Sequence, residues 1–600
     1  MGGVVLSESR QNERNNLVAR RSVSLGKYEA DFHAALQRLE QERAVARLWN
    51  QDPTLWKSDT DHGAIIGNSL GWLGAAEAMQ QHLPEINALV EEVRNAGFEF
   101  VVLLGMGGSS LCPEVMGLSF GKREGFPQLL VLDSTVPTAI RHLEQKIDLG
   151  KTLFLVASKS SLTTEPQMFH RYFRDRVKRV KGETAGENFI AITDPGSQLA
   201  KEAVHGHFRR IFLDLPGIGG RYSALSYFGV LPFALMGGDV KTLLNRAVHA
   251  AQSSAESVPV KENPGARLGA VLASLANAGR NQLTLVTPPP LAAIGLWIEH
   301  LIAESTGKEG KGIVPVVGEP LGPPEVYGDD RLFLYIHTPG RNNGEIESKL
   351  SALEAAGHPV VRHTLRDGLD LGEEFFLWEF ATAIAGALLA IDPFDQPEVQ
   401  ESKSNTARLL AESAQTGALA QQKLVTAETP LRVFSDAENC EVLRRGGPSL
   451  KETLVRHLAR LNPGDYFAIV QFIEPLKNYE SLLQEIRLAV RDEKKVATTT
   501  GYGPRFLHST GQLHKGGPDS CVFLQLTAED INDIEIPGEK FSFGVLTQAQ
   551  ALGDFESWSS HHRRAIRVDL GRDVEKGLRR LLALVKESLA QPAALTANNK

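Results

Sequence analysis

A few short segments carry the residue types needed to move a proton beside a carbonyl and hold the charge that results. Residues 302–312 read Ile-Ala-Glu304-Ser-Thr-Gly-Lys308-Glu-Gly-Lys-Gly. Gly-Gly-Arg221-Tyr-Ser stands upstream, and Phe394-Asp395-Gln396 and Lys403 stand downstream. A carboxylate such as Glu304 can take a proton from one carbon and return it to the next by a small swing. A fixed guanidinium such as Arg221 can hold the developing oxyanion, lowering the barrier by roughly 3 kcal/mol. The amide of Gln396 and the ammonium of Lys403 complete the set. Taken singly, each residue has an ordinary reading: Glu304 as an exposed helix-end Glu beside Lys308, Arg221 as half of a structural ion pair, and Lys403 as a solvated helix residue. Glu319, in Val-Gly-Glu-Pro, is the second-ranked carboxylate.

Two further segments are suited to binding an anion. Leu-Leu-Gly105-Met-Gly107-Gly108-Ser109-Ser110 follows an apolar run and opens a helix, where glycines let backbone N–H groups face a ligand. Ser158-Lys159-Ser160-Ser161-Leu-Thr163-Thr164-Glu165 does the same with five hydroxyls and an ammonium, a dense set of donors for a tetrahedral phosphate. Any one of these hydroxyls could instead be a helix cap. On neighbouring strands of one parallel sheet, the two loops would meet at its carboxyl edge, where doubly wound folds bind ligands.

The elements that must carry these loops are legible as apolar runs. Runs at 99–105, 128–133, 152–157 and 188–193, separated by helical stretches, predict a parallel sheet with crossover helices. Runs at 281–287, 331–336 and 359–362, closed by a helical stretch at 373–391, predict a second. After a polar stretch at 404–425, runs at 465–471, 495–500, 521–526, 542–546 and 565–569 predict a third, smaller α/β module. Stretches 29–50 and 73–96 have the three- and four-residue spacing of helices and predict a wrapping layer. At 600 residues, 42% hydrophobic and a formal charge of −8, the chain can bury several cores, and its acidity argues against general nucleic-acid binding. Three widely spaced cysteines without zinc-site spacing fit a reducing compartment. The amino terminus lacks the apolar core of a secretion signal and no stretch reads as a membrane span, so a cytoplasmic location without membrane partners is expected.

Gly-Ile-Gly-Gly-Arg221-Tyr222-Ser223-Ala-Leu-Ser-Tyr-Phe-Gly resembles the signature of the glucose-6-phosphate isomerase family. The two loops resemble that family's phosphate-binding segments, and Phe394-Asp395-Gln396-Pro-Glu-Val-Gln-Glu-Ser-Lys403 resembles its closing motif; residues from about 30 to 405 follow the family's order of motifs. The resemblance implies two sugar-isomerase (SIS-type) doubly wound subdomains, at 99–260 and 261–405. Around them stand a helical segment at 1–98 and an α/β module at 426–592, the latter a candidate degenerate isomerase half. It also implies interconversion of glucose 6-phosphate and fructose 6-phosphate through a cis-enediol, as in glycolysis and gluconeogenesis, with no metal and no cofactor. Glu304 would be the base, Arg221 the oxyanion partner, and Gln396 and Lys403 further catalytic groups, Lys403 acting at the ring oxygen. Gly108, Ser109, Ser158, Lys159, Ser160 and Thr163 would bind the sugar phosphate.

One position departs from the family. The stretch Gly318-Glu-Pro-Leu-Gly-Pro-Pro-Glu-Val-Tyr327, where the ring-opening histidine is expected, contains none. Ser509-Thr-Gly511-Gln512-Leu-His514-Lys515-Gly-Gly resembles the missing segment, so His514, with His508 as alternate, is expected to supply that function from the third module. The chain would then be a homodimer or a monomer completed by an internal pseudo-subunit. The module is also similar to the isomerase part of bifunctional transaldolase/phosphoglucose isomerase proteins, but the hundred residues before the first sheet are too few for a barrel of about 250, so isomerase activity alone is expected. The alternatives are a dual phosphoglucose/phosphomannose isomerase, because pocket shape and not sequence sets the choice at C2, and a non-catalytic sugar-phosphate sensor, which would have no use for Glu304, Arg221, Gln396 and Lys403.

Overall fold

The computed structural model describes residues 14 and 16–590, apart from 341–342, 421, 446, 448 and 530–531. The chain forms two compact units. The first comprises residues up to Leu132, Ile147–Leu321 and Arg331–Asp395; the second comprises Asp133–Lys146, Gly322–Asp330 and the residues from Gln396 onward.

The first unit holds two sheets. After strand β1 (Arg21–Ser24), one sheet is built from β2 (Phe100–Leu104), β3 (Gln128–Leu132), β4 (Thr152–Ala157), β5 (Phe189–Thr193) and β6 (Arg210–Leu213), all parallel, in the order β3-β2-β4-β5-β6. The other contains β7 (Gln282–Val286), β8 (Val314–Val317), β9 (Arg331–His337) and β10 (Val360–Thr364), in the order β1-β10-β9-β7-β8, with β1 antiparallel on the edge. β4, β5 and β7 are buried at every position, as strands covered by helices on both faces must be. The helix Leu371–Leu389 is buried along its whole length and belongs to one continuous apolar core shared by both sheets.

The second unit carries β11 (Lys423–Glu428), β12 (Leu431–Ser435), β13 (Tyr466–Gln471), β14 (Ala497–Tyr502), β15 (Cys521–Thr527) and β16 (Arg564–Asp569), in the order β11-β12-β16-β15-β13-β14. Taking parallel strands alone in chain order, all three sheets share one winding: second, first, third, fourth. The third module is thus wound like the two sheets of the first unit.

Several elements differ from the sequence expectation. The run 542–546 is not a strand; it opens the helix Phe543–Ser560, with the Ser542 hydroxyl accepting from Val545 N and Asp533 accepting from Gly544 N. The hairpin β11–β12, the short β6 and the proline-containing β8 went unread. β6 is only four residues long with a three-residue apolar run, and β11 is mostly exposed or half-buried with charged ends. Within the helical amino-terminal segment, β1 joins the second sheet because its backbone completes the edge of β10.

Candidate active site

The glycine loop follows β2 and the serine loop follows β4, adjacent strands at which the winding of the first sheet reverses direction. This is the switch point where open α/β sheets leave a crevice. Gly107 has φ 55° and ψ −126°, a conformation that side chains disfavour. At Gly108 a Cβ would stand 1.8 Å from the Gly220 carbonyl oxygen, so only glycine lets the loop lie against the Gly219–Arg221 turn.

The hydroxyls of the second loop divide into spent and unspent. Ser161 Oγ accepts from Leu199 N at 2.9 Å, and Ser160 Oγ accepts from Leu162 N at 3.3 Å. Ser158 Oγ is buried with no hydrogen-bond partner, and Thr163, which precedes the 18-residue helix Thr164–Lys181, makes no side-chain cap bond. Ser109 is buried at the first turn of the helix Gly108–Phe120. Lys159 is committed elsewhere: its Nζ lies 2.7 Å from Asp214 Oδ2 and 2.9 Å from Asp194 Oδ1. Lys159, expected to bind the sugar phosphate, is thus ion-paired in this structure.

Arg221 is buried on a single 3-10 turn, Gly220–Tyr222. Its Nε donates to Ser305 Oγ at 2.8 Å, its Nη2 donates to the Pro393 and Asp395 carbonyls at 2.8 Å each, and its Nη1 lies 3.5 Å from Glu304 Oε2. The neighbouring Tyr222 stacks on Trp72 with ring centroids 5.4 Å apart, fixing the turn from behind.

Glu304 lies near the end of the helix Ile294–Thr306 and is only 8% exposed, not the solvated residue an isolated reading gives. His300, one turn earlier, places Nε2 2.5 Å from Glu304 Oε2. Burial alone would raise the Glu304 carboxyl, but Arg221, then His300 and Lys308, outweigh it and hold the pKa at about 2. Lys308 Nζ contacts the Asp392 and Asp395 carbonyls at 2.6 and 2.5 Å and Asp395 Oδ1 at 2.6 Å. Burial, then Arg221, lowers its pKa to about 8 against the pull of Asp395. Glu319, the second-ranked carboxylate, is sealed in an ion pair with Arg331 at 3.0 Å, both side chains at 0% exposure.

The other expected site residues lie in the second unit. Gln396 is exposed just before the helix Pro397–Thr416, and Lys403 on that helix is half-buried. In the same unit, Lys515 Nζ pairs with Asp554 Oδ1 at 2.9 Å and donates to Ser402 Oγ at 2.9 Å, while Gln512 bonds Glu398. His508 is half-buried at the end of a 3-10 turn whose Arg505 pairs with Asp133 at 2.7 Å. His514 is 3% exposed among Tyr466, Phe506, Phe523 and Trp558. Burial, then Lys515 and Arg563, drives its pKa well below the usual histidine range. His514, expected to open the ring, is thus a buried histidine among aromatic side chains, and its Nδ1 has no hydrogen-bond partner.

Sequence reasoning missed His300, whose four-residue spacing from Glu304 on a helix was a usable signal. It also missed Ser305 and the carbonyls of 393 and 395 as anchors of Arg221. Backbone acceptors leave no trace in residue identity.

A family model for phosphoglucose isomerase matches residues 77–309. A glucose-6-phosphate isomerase from Symbiobacterium thermophilum is 30% identical over 391 residues, covering 57% of this chain and 86% of that protein. A probable glucose-6-phosphate isomerase from Methanococcus maripaludis is 28% identical over 374 residues, covering 56% of this chain and 83% of that protein. Among solved structures, a hypothetical protein from Thermus thermophilus superposes with a TM-score of 0.56 at 24% identity, covering 65% of this chain and all of that one.

Proposed function

The chain belongs to the glucose-6-phosphate isomerase family, and from that membership we propose that it interconverts glucose 6-phosphate and fructose 6-phosphate, with Glu304 as the base. The observation that carries this reading is a buried carboxylate 3.5 Å from a buried guanidinium whose other nitrogens are all engaged. Arg221 cannot swing away, so a carbonyl oxygen brought against Nη1 meets a fixed positive charge.

Proton removal from C2 puts charge on the carbonyl oxygen and yields a cis-enediol. Return of that proton to C1 completes the aldose–ketose exchange. A carboxyl held at about 2 is a weak base while Arg221 serves it alone. As the oxyanion grows, the guanidinium is shared, its hold on Glu304 relaxes, and the carboxylate gains proton affinity when the proton moves. The unspent hydroxyls of Ser158 and Thr163, with Ser109, are the groups we assign to the phosphate. Gln396 and Lys403 keep the catalytic roles that the resemblance implies, Lys403 at the ring oxygen.

Turnover of fructose 6-phosphate in deuterium oxide tests the enediol. The reading expects deuterium on carbon at C1 of recovered fructose 6-phosphate and at C2 of the glucose 6-phosphate formed. Conversion with no solvent deuterium on either carbon would point to direct hydride transfer instead, and absence of conversion would remove the proposed activity.

A further inference from the structure

We propose that His62, Asp392 and Asp395 form a binding site for one first-row divalent cation such as zinc. His62 lies on the helix Thr60–Gly67, and its Nδ1 is 2.9 Å from both carboxylate oxygens of Asp59. Nε2, on the far side of the ring, lies 3.8 Å from Asp395 Oδ2. A histidine held through one nitrogen by a carboxylate, with its other nitrogen turned toward further carboxylates, is the arrangement that metal-ligating histidines adopt.

Asp392 provides an independent indication. It is 1% exposed, its Oδ1 accepts from Phe394 N at 2.8 Å, and its Oδ2 has no hydrogen-bond partner. A buried carboxylate oxygen left unsatisfied is costly unless something charged meets it. One ligand atom from each of His62, Asp392 and Asp395 lies within 4.8 Å of the others. Zinc bound at about 2.0–2.2 Å by nitrogen and carboxylate oxygen brings its donors to roughly 3.3 Å apart.

The charge around the site agrees. Lys308 occupies the other oxygen of Asp395. The Asp392 and Asp395 carboxylates stand close enough to repel each other, a negative pair that a bound cation would meet. A mixed nitrogen and carboxylate donor set suits zinc or manganese better than magnesium, which prefers oxygen alone. The cation would tie the helix Thr60–Gly67 to the 392–395 loop, whose carbonyls at 393 and 395 hold Arg221. It needs no part in the proton transfer.

The test is calorimetric titration of the chelator-treated, desalted full chain with zinc chloride, alongside the thermal midpoint with and without the metal. The site predicts one saturable equivalent and a raised midpoint. Both effects should be lost in His62→Ala and Asp392→Asn, and Asp59→Asn should weaken binding by roughly 10–100-fold. The asparagine at 392 keeps an oxygen for Phe394 N, so the loop survives the change. No saturable binding in the wild type, or binding unchanged in both variants as for surface histidines, would overturn the proposal. Binding is read without turnover, so zinc bound by a protein inactive on fructose 6-phosphate would leave this site standing and remove only the proposed isomerase activity.

Discussion

Arg221 Nη1 lies 3.5 Å from Glu304 Oε2, while Nε and Nη2 of the same guanidinium hold Ser305 and two carbonyls of the 393–395 loop. Lysine at 221 would keep one charge and lose the planar fork that makes all these contacts. Arg221→Lys is therefore expected to lower kcat by about 10²–10³-fold, the scale of losing a fixed oxyanion donor, with a smaller change in KM. Steady-state kinetics on fructose 6-phosphate measure this, and an active lysine variant would show that charge alone suffices.

His300 shares Glu304 Oε2 at 2.5 Å and helps keep the carboxyl ionised. In His300→Gln the Glu304 pKa moves up from about 2 toward its ordinary 4.5, so the acid limb of kcat/KM shifts to higher pH. The sign for stability follows. A depressed carboxyl pKa stabilises the fold above pH 4.5 and loses that contribution as pH falls through about 2. The variant should thus lose stability relative to wild type near neutrality, and the gap should close in acid. A pH profile with matched denaturant midpoints reads both effects.

Within the serine loop, neighbouring residues should respond differently. Ser158→Ala and Thr163→Ala remove unspent hydroxyls and are expected to raise KM by about 10-fold each, at roughly 1.4 kcal/mol per decade, with little effect on kcat or on the unfolding midpoint. Lys159→Ala leaves the 2% exposed Asp214 without its 2.7 Å partner. It should destabilise the protein by about 3–5 kcal/mol, as breaking a buried pair does. Reversal of this pattern would assign the phosphate to Lys159 after all.

His514→Ala leaves a void among Tyr466, Phe506, Phe523 and Trp558. The expected result is a loss of about 2–5 kcal/mol in stability, on the scale of large-to-small core substitutions, with any loss of activity equal for cyclic and open-chain substrate. Selective loss on the cyclic form would restore the ring-opening role.

Glu304 and Arg221 were legible because short motifs surround them and because the chemistry needs a carboxylate and a fixed cation. The strands that carry the glycine and serine loops were legible because β2, β4 and β5 are largely buried and read as apolar runs. β8 was hidden by Pro315 and by its four-residue length. The commitment of Lys159 to Asp194 and Asp214 was not visible either, since those partners are 35 and 55 residues away on other strands' loops. His514 shows the opposite case. A local motif match suggested chemistry, while the aromatic residues that enclose its ring come from four separate stretches of chain.

The central claim is tested most directly by a coupled assay of fructose 6-phosphate isomerisation with wild type and Glu304→Gln. Gln keeps the volume and one hydrogen-bonding oxygen but cannot accept the C1 proton of fructose 6-phosphate, so the account predicts an active wild type and a variant reduced by about a thousandfold or more in kcat, with fructose 6-phosphate binding retained. A glutamine variant within about tenfold of wild type, a difference of only some 1.4 kcal/mol, would contradict Glu304 as the base.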